Sequence, residues 1–167
     1  MSRHGPPFLG KFRATVSDNR DPLMKARVRV KAPDVYGEEE SGWALPALPY
    51  TGDGVGLFLV PPTGASVWVE FEHGDPDYPI WAGGFWSELE VPASPGIAEM
   101  KVLKTDSATI TIDDTPVAGG VTIETTTGLK IKMDISGIEI TNGKGGTVKL
   151  DGLTPKVSIN GNAFEVT

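Results

Sequence analysis

Along the last sixty residues of this chain, apolar side chains recur at every second position in one short run after another. The runs are Ile110/Ile112, Val121/Ile123, Leu129/Ile131/Met133, Ile138/Ile140, Val148/Leu150, Val157/Ile159 and Phe164/Val166. Thr111, Thr122, Lys130, Lys132, Glu139, Lys149, Ser158 and Glu165 alternate with them. Period-two alternation gives strands with one apolar and one polar face. Counted from the first apolar residue of each run, the spacings are 11, 8, 9, 10, 9 and 7 residues. That leaves room for one strand and one turn per repeat, and so small a unit cannot bury its own apolar face. The spacing predicts several copies of the chain wound around a common apolar axis, each strand finding its neighbours in other chains. The expectation is a rigid oligomeric shaft and not a catalytic domain.

Residues before this stretch have another vocabulary. Twelve of the thirteen aromatic residues lie at or before Trp86, and the last arginine is Arg29. The join falls in Glu88–Gly96, where Pro92, Ser94, Pro95 and Gly96 interrupt any strand. Two modules follow, residues 1–96 and residues 97–167. In the first, Phe12–Val16, Arg27–Lys31, Val55–Val60, Ser66–Phe71 and Tyr78–Gly83 read as strands, and Trp43–Pro49 as an edge or loop. No segment shows a helical period of convincing length. Five short strands in about ninety residues predict a small closed barrel of the oligonucleotide/oligosaccharide-binding (OB) type. The fold class is therefore all-β.

The net charge of −7 lacks the basic footprint of a nucleic-acid binder. Without a cysteine, neither disulfides nor a thiolate metal site can form. The longest apolar run, Val55–Val60, is too short to span a bilayer, and the first residues carry no apolar signal segment. Synthesis in a bacterial cytoplasm is expected.

Several segments carry a resemblance. Ser41-Gly-Trp-Ala-Leu-Pro46, Gly54-Val-Gly56, Pro61-Pro-Thr-Gly64, Val67-Trp-Val-Glu-Phe-Glu72 and Gly74-Asp-Pro-Asp-Tyr-Pro-Ile-Trp81 occur in that order. Lys104-Thr-Asp-Ser107 then leads into Ile112-Asp-Asp-Thr-Pro116. Together they resemble the central spike proteins of bacteriophage baseplates (baseplate protein V) and the related VgrG spikes of contractile injection systems. The resemblance implies an OB barrel followed by an intertwined trimeric β-helix, a needle below a contractile tail. It implies a homotrimer, a separate hub protein docked at the barrel, and a target cell envelope to be pierced. The implied setting is a virion tail or baseplate, or a phage-tail-like particle. Some such spikes hold iron in a terminal histidine cluster, but no histidine follows His73 here. No metal or cofactor is expected, and three chain ends would form a blunt platform of Phe164, Val166 and Thr167. A PAAR-type tip protein is the expected partner for that platform.

Other chemistry reads more weakly. Asp75, Asp77 and His73 could share a cation, but Asp and Pro also suit a turn. Glu70 and Glu72 share a strand face without an opposing carboxylate. Asn142-Gly-Lys144-Gly-Gly-Thr147 lacks the order of a phosphate loop, and His4 and His73 give no triad. The chain is not expected to be an enzyme. The alternative reading is an oligonucleotide- or carbohydrate-binding module with an oligomerising β tail. There Arg27, Arg29 and Lys31 would form a basic strip, and Trp43, Trp68, Trp81 and Trp86 would be stacking platforms. Glu38–Glu40 and Glu70/Glu72 offset that strip, and the tryptophans are expected at inward positions or beside turns.

Overall fold

The computed structural model describes residues 7–161 and 163–166, so His4 and Thr167 lie outside the described residues. The chain divides into two compact units between Leu89 and Glu90.

In the first unit, β1 (Phe12–Asp18), β2 (Arg29–Lys31), β3 (Leu45–Pro46), β6 (Ser66–Phe71) and β7 (Pro79–Gly84) form one sheet. Its order is β2-β1-β6-β7-β3. All neighbours are antiparallel except β3 and β7, which run parallel. The sheet closes into a barrel just outside its named strands. Val28 N–H donates to the Ala44 carbonyl at 3.2 Å, and Ala44 N–H returns a bond to Val28 at 2.8 Å. Closure removes the sheet edges that would otherwise recruit other chains. Alternate inward residues fill the interior, among them Val16, Val28, Val30, Val67, Val69, Phe71 and Trp81.

Two polar devices hold this ring. Ser41 is buried because it extends the closure: its N–H donates to Val30 O at 2.9 Å, and its Oγ accepts from Val30 N–H at 3.0 Å. Asp21 organises the β1–β2 connection, accepting from the N–H groups of Leu23 and Lys25 and from the Arg27 guanidinium at 2.6 Å. Within that loop Met24 and Ala26 take positive φ of 53° and 58°, a backbone that side chains oppose. The Arg27 guanidinium, helped by the backbone N–H groups, holds the Asp21 carboxyl well below the usual carboxylate range against the opposing effect of burial.

The first unit agrees with an all-β reading apart from short helical turns, and one of its expected strands is corrected. A single helical turn, α1 (Pro33–Tyr36), follows β2. Val55–Val60 is not one strand: only β5 (Val55–Gly56) pairs, with β4 (Thr51–Gly52), as an isolated hairpin. Gly54 and Gly56, both at positive φ, end the extended run.

In the second unit, eight strands form one antiparallel sheet in chain order. They are β8 (Met100–Lys104), β9 (Ala108–Asp113), β10 (Gly120–Thr125), β11 (Lys130–Asp134), β12 (Gly137–Thr141), β13 (Thr147–Asp151), β14 (Val157–Ile159) and β15 (Phe164–Val166). Each strand therefore finds its neighbours in the same chain, which corrects the expectation of strands paired between chains. The short spacing makes hairpins, because a tight turn lets antiparallel neighbours pair directly. Gly137 shows how tight: at φ 125°, a Cβ there would lie 1.9 Å from the Leu150 carbonyl oxygen. Strand β8 is an addition to the runs read from the sequence.

Replacing Asp21 with Asn should lower the thermal midpoint of the barrel at neutral pH. Because the folded pKa is depressed, the Asp21 contribution is present above the ordinary value of 3.8 and is lost as pH falls below it. Thermal melts followed by near-UV circular dichroism should show the gap between parent and D21N constant above pH 5 and narrowing steadily as the pH falls from 4 toward 2.

Candidate interaction surface

The C-terminal sheet pairs its inner strands on both sides and leaves one face bare. Its register sets Ile110 against Ile123, Ile123 against Ile131, Ile131 against Ile140, Ile140 against Val148 and Val148 against Ile159. A second column runs through Ile112, Val121, Met133, Ile138, Leu150 and Val157. Side chains two apart along a strand share a face, so both columns lie on the same side. Ten of these twelve residues remain 36–45% exposed. Leu103 extends the first column onto β8, where Lys101 ends the second and pairs with Asp114.

The opposite face is a charge ladder. Lys132 faces Glu139, and Glu139 faces Lys149. Lys132 Nζ also lies 2.6 Å from Asp134, and Lys130 lies 3.1 Å from Glu124. Its bond to Lys132, with those from Ser136, holds the Asp134 carboxyl well below its ordinary range. Polar and apolar faces thus fall where the alternation predicted.

An apolar face of this size on a monomer marks an interaction site. Covering the exposed two-fifths of about a dozen such side chains is worth on the order of 10 kcal/mol per chain. Strand pairing within the chain already buries the rest. The face has the dimensions of a wall: eight strands at ~4.8 Å spacing stand roughly 34 Å tall, and five residues span about 17 Å.

Two models of known families match, in the order of these units. Residues 12–86 match the type VI secretion system/phage-baseplate injector OB domain. Residues 100–165 match the phage baseplate V C-terminal trimerisation domain. The chain belongs to the phage baseplate V family. Its barrel lies in the segment that matches the injector OB domain, and its apolar wall in the segment that matches the trimerisation domain, which supports a homotrimer. A comparison with curated proteins found no match.

The remaining candidates sort by geometry. Phe164 begins the edge strand β15, paired with Ile159, and is 59% exposed; Val166 pairs with Val157 in the same ladder. Asp75 is held in a turn, accepting from Asp77 N–H at 3.0 Å while its carbonyl accepts from Tyr78 N–H. Gly74 beside it is fixed by close approach, since a Cβ there would meet Pro7 at 2.6 Å. Asn142 Oδ1 accepts from the N–H groups of Lys144 and Gly146, both at 2.9 Å, making that segment a turn between β12 and β13.

Of the tryptophans, Trp81 is core, donating Nε1–H to the Ala26 carbonyl at 2.9 Å. Trp43 is covered by Arg27 and Arg29, 5.5 and 5.1 Å from its ring. Trp68 corrects the inward expectation: it stands on the outer face opposite Arg13, stacked on Phe85 at 4.7 Å. Cations and rings thus already occupy these faces, and Arg27 is bound to Asp21.

Sequence reasoning missed a patch on the barrel. The β4–β5 hairpin and the segment after it expose Tyr50, Val55, Leu57 and Phe58. Val55, Leu57 and Phe58 border a cleft of about 410 Å³ that Met24, Pro46 and Leu48 also line.

Replacing Ile140 with Asp puts a carboxylate into the apolar column and should cost at least about 3 kcal/mol per chain in the associated state. Light scattering should then show dissociated or aggregated chains. Glu139→Ser, one residue away on the polar face, should leave the oligomer intact.

Proposed function

We propose that the protein is the central spike of a contractile tail baseplate, a structural and non-enzymatic part that docks under a hub and pierces a cell envelope. The observation carrying this reading is the unbroken two-column apolar face within a trimerisation domain. Three such walls, turned inward, close a triangular shaft with a dry axis and charged outer faces. A shaft of this kind resists bending because its backbone hydrogen bonds and packed axis must fail together. The work comes from contraction elsewhere in the particle, and the shaft concentrates the force.

On the barrel, the exposed patch around Leu57 and Phe58 supplies a surface for the hub. In the C-terminal unit, Phe164, Val166 and Thr167 form the platform for a PAAR-type tip protein, through strand addition at β15 and apolar contact. The particle is a phage tail or a phage-tail-like assembly. No observation favours the oligonucleotide- or carbohydrate-binding alternative over this one, since Trp43 and Trp68 lie under arginines and Trp81 is core, which leaves Trp86 alone as an exposed platform.

Size-exclusion chromatography with light scattering should return three copies, and a concentration-independent monomer would overturn the spike reading. Purified particles carrying the intact chain should retain a small tip protein that is lost when the chain is truncated after Ser158. Equal retention in both would remove the tip assignment while leaving the spike.

A further inference from the structure

The two edges of the C-terminal sheet differ in a way that neither turn geometry nor solubility requires. Strand direction alternates, so the β9–β10, β11–β12 and β13–β14 turns share one edge. Each lifts one branched apolar side chain into solvent: Val117 at 83%, Ile135 at 67% and Leu153 at 83% exposure. The β8–β9, β10–β11 and β12–β13 turns on the other edge present Thr105–Ser107, Thr126–Leu129 and Asn142–Gly146, polar or glycine throughout except for Leu129.

The apolar tips are not what shapes their turns. Asp113, Asp134 and Asp151 do that, accepting from the N–H groups of Thr115, Ser136 and Leu153 at 2.9, 2.7 and 2.9 Å. A single exposed apolar residue needs no explanation. Three in line, two strands apart and thus roughly 10 Å from one to the next, form a ridge. The ridge borders the apolar face directly, since Ile135 follows Met133 by two residues.

We propose that this ridge is the leading half of a head-to-tail seam between copies of this chain. Val117, Ile135 and Leu153 of one chain lie over the margin of the next chain's sheet. There Leu103 and Leu129, both exposed, carry the apolar face toward the polar-turn edge. The inference rests on the trimeric spike reading and adds the seam to it. A ring of three brings one edge of each sheet against the opposite edge of its neighbour, a heterologous contact that closes. Unlike edges are what such a contact uses, whereas a two-fold pairing would set ridge against ridge. The seam keeps water from the corners of the shaft, where two columns of side chains alone would leave a gap.

The chain has no cysteine, so single thiols report burial without background. V117C, I135C and L153C, each in the full chain, would be compared with K132C and E139C on the exposed charged face. Each is first confirmed as a trimer by light scattering, then labelled with N-ethylmaleimide under native conditions. The ridge thiols should react at least tenfold more slowly than the controls. Adding Ile131→Asp, which breaks the axis, should bring the rates together. Intact trimers with equal rates would overturn the seam and leave the spike reading standing. Monomers throughout would overturn that reading and the seam with it. Slow labelling that survives I131D would mean the ridge is covered by its own chain, and protection found only in whole particles would assign it to another component. Either result overturns the seam.

Discussion

A β-sheet whose inner strands are paired on both sides and whose one face is almost wholly apolar cannot rest in water, and this condition governs the C-terminal half. Every strand from β9 to β14 has neighbours on both sides within the chain, so hydrogen bonding asks for nothing further. What remains is area. The face needs cover, and area alone is indifferent to how that cover is arranged. Orientation must come from features that differ across the sheet, such as Lys101 ending one column and the contrast between the two rows of turns.

The barrel solves the same problem by the opposite means. Its strands curl until Val28 meets Ala44, so its apolar face becomes an interior and its edges vanish. That closure depends on polar groups at the points where strands stop. Ser41 continues the ladder where a side chain has to replace backbone, and Asp21 holds a loop whose backbone would not choose its own conformation. The two halves show two fates of alternating sequence: a sheet that covers itself and one that is covered by others.

Which side of each C-terminal strand is apolar was legible, because period two is a local property. Ile131 and Lys132 lie where the alternation put them, opposite Ile140 and Glu139. Which strand pairs with which was not, because alternation is silent about partners, and the short spacing fits hairpins as well as strands shared between chains. Strand β8 escaped because Met100–Lys104 carries Lys101 at an apolar-column position. Val55–Val60 misled for a different reason: its composition is that of a strand, but Gly54 and Gly56 take backbone conformations that end one. Trp68 was expected inside because tryptophan is apolar, and its place outside depends on Arg13 and Phe85, which only the fold brings to it. The tip residues Phe164 and Val166 were visible as the last apolar pair, and the barrel patch was not visible at all.

The meander also bears on how such a shaft comes into being. Contacts between successive hairpins are local in sequence, and local contacts form quickly. Chains that wind around one another must thread during assembly and unthread to part, which ties their fate to the order of folding events. Sheets that pair only within themselves meet as finished surfaces. Association then becomes a docking step whose rate depends on chain concentration, and subunits can be exchanged without knots. A spike built this way can be made one chain at a time on separate ribosomes and still close into one object.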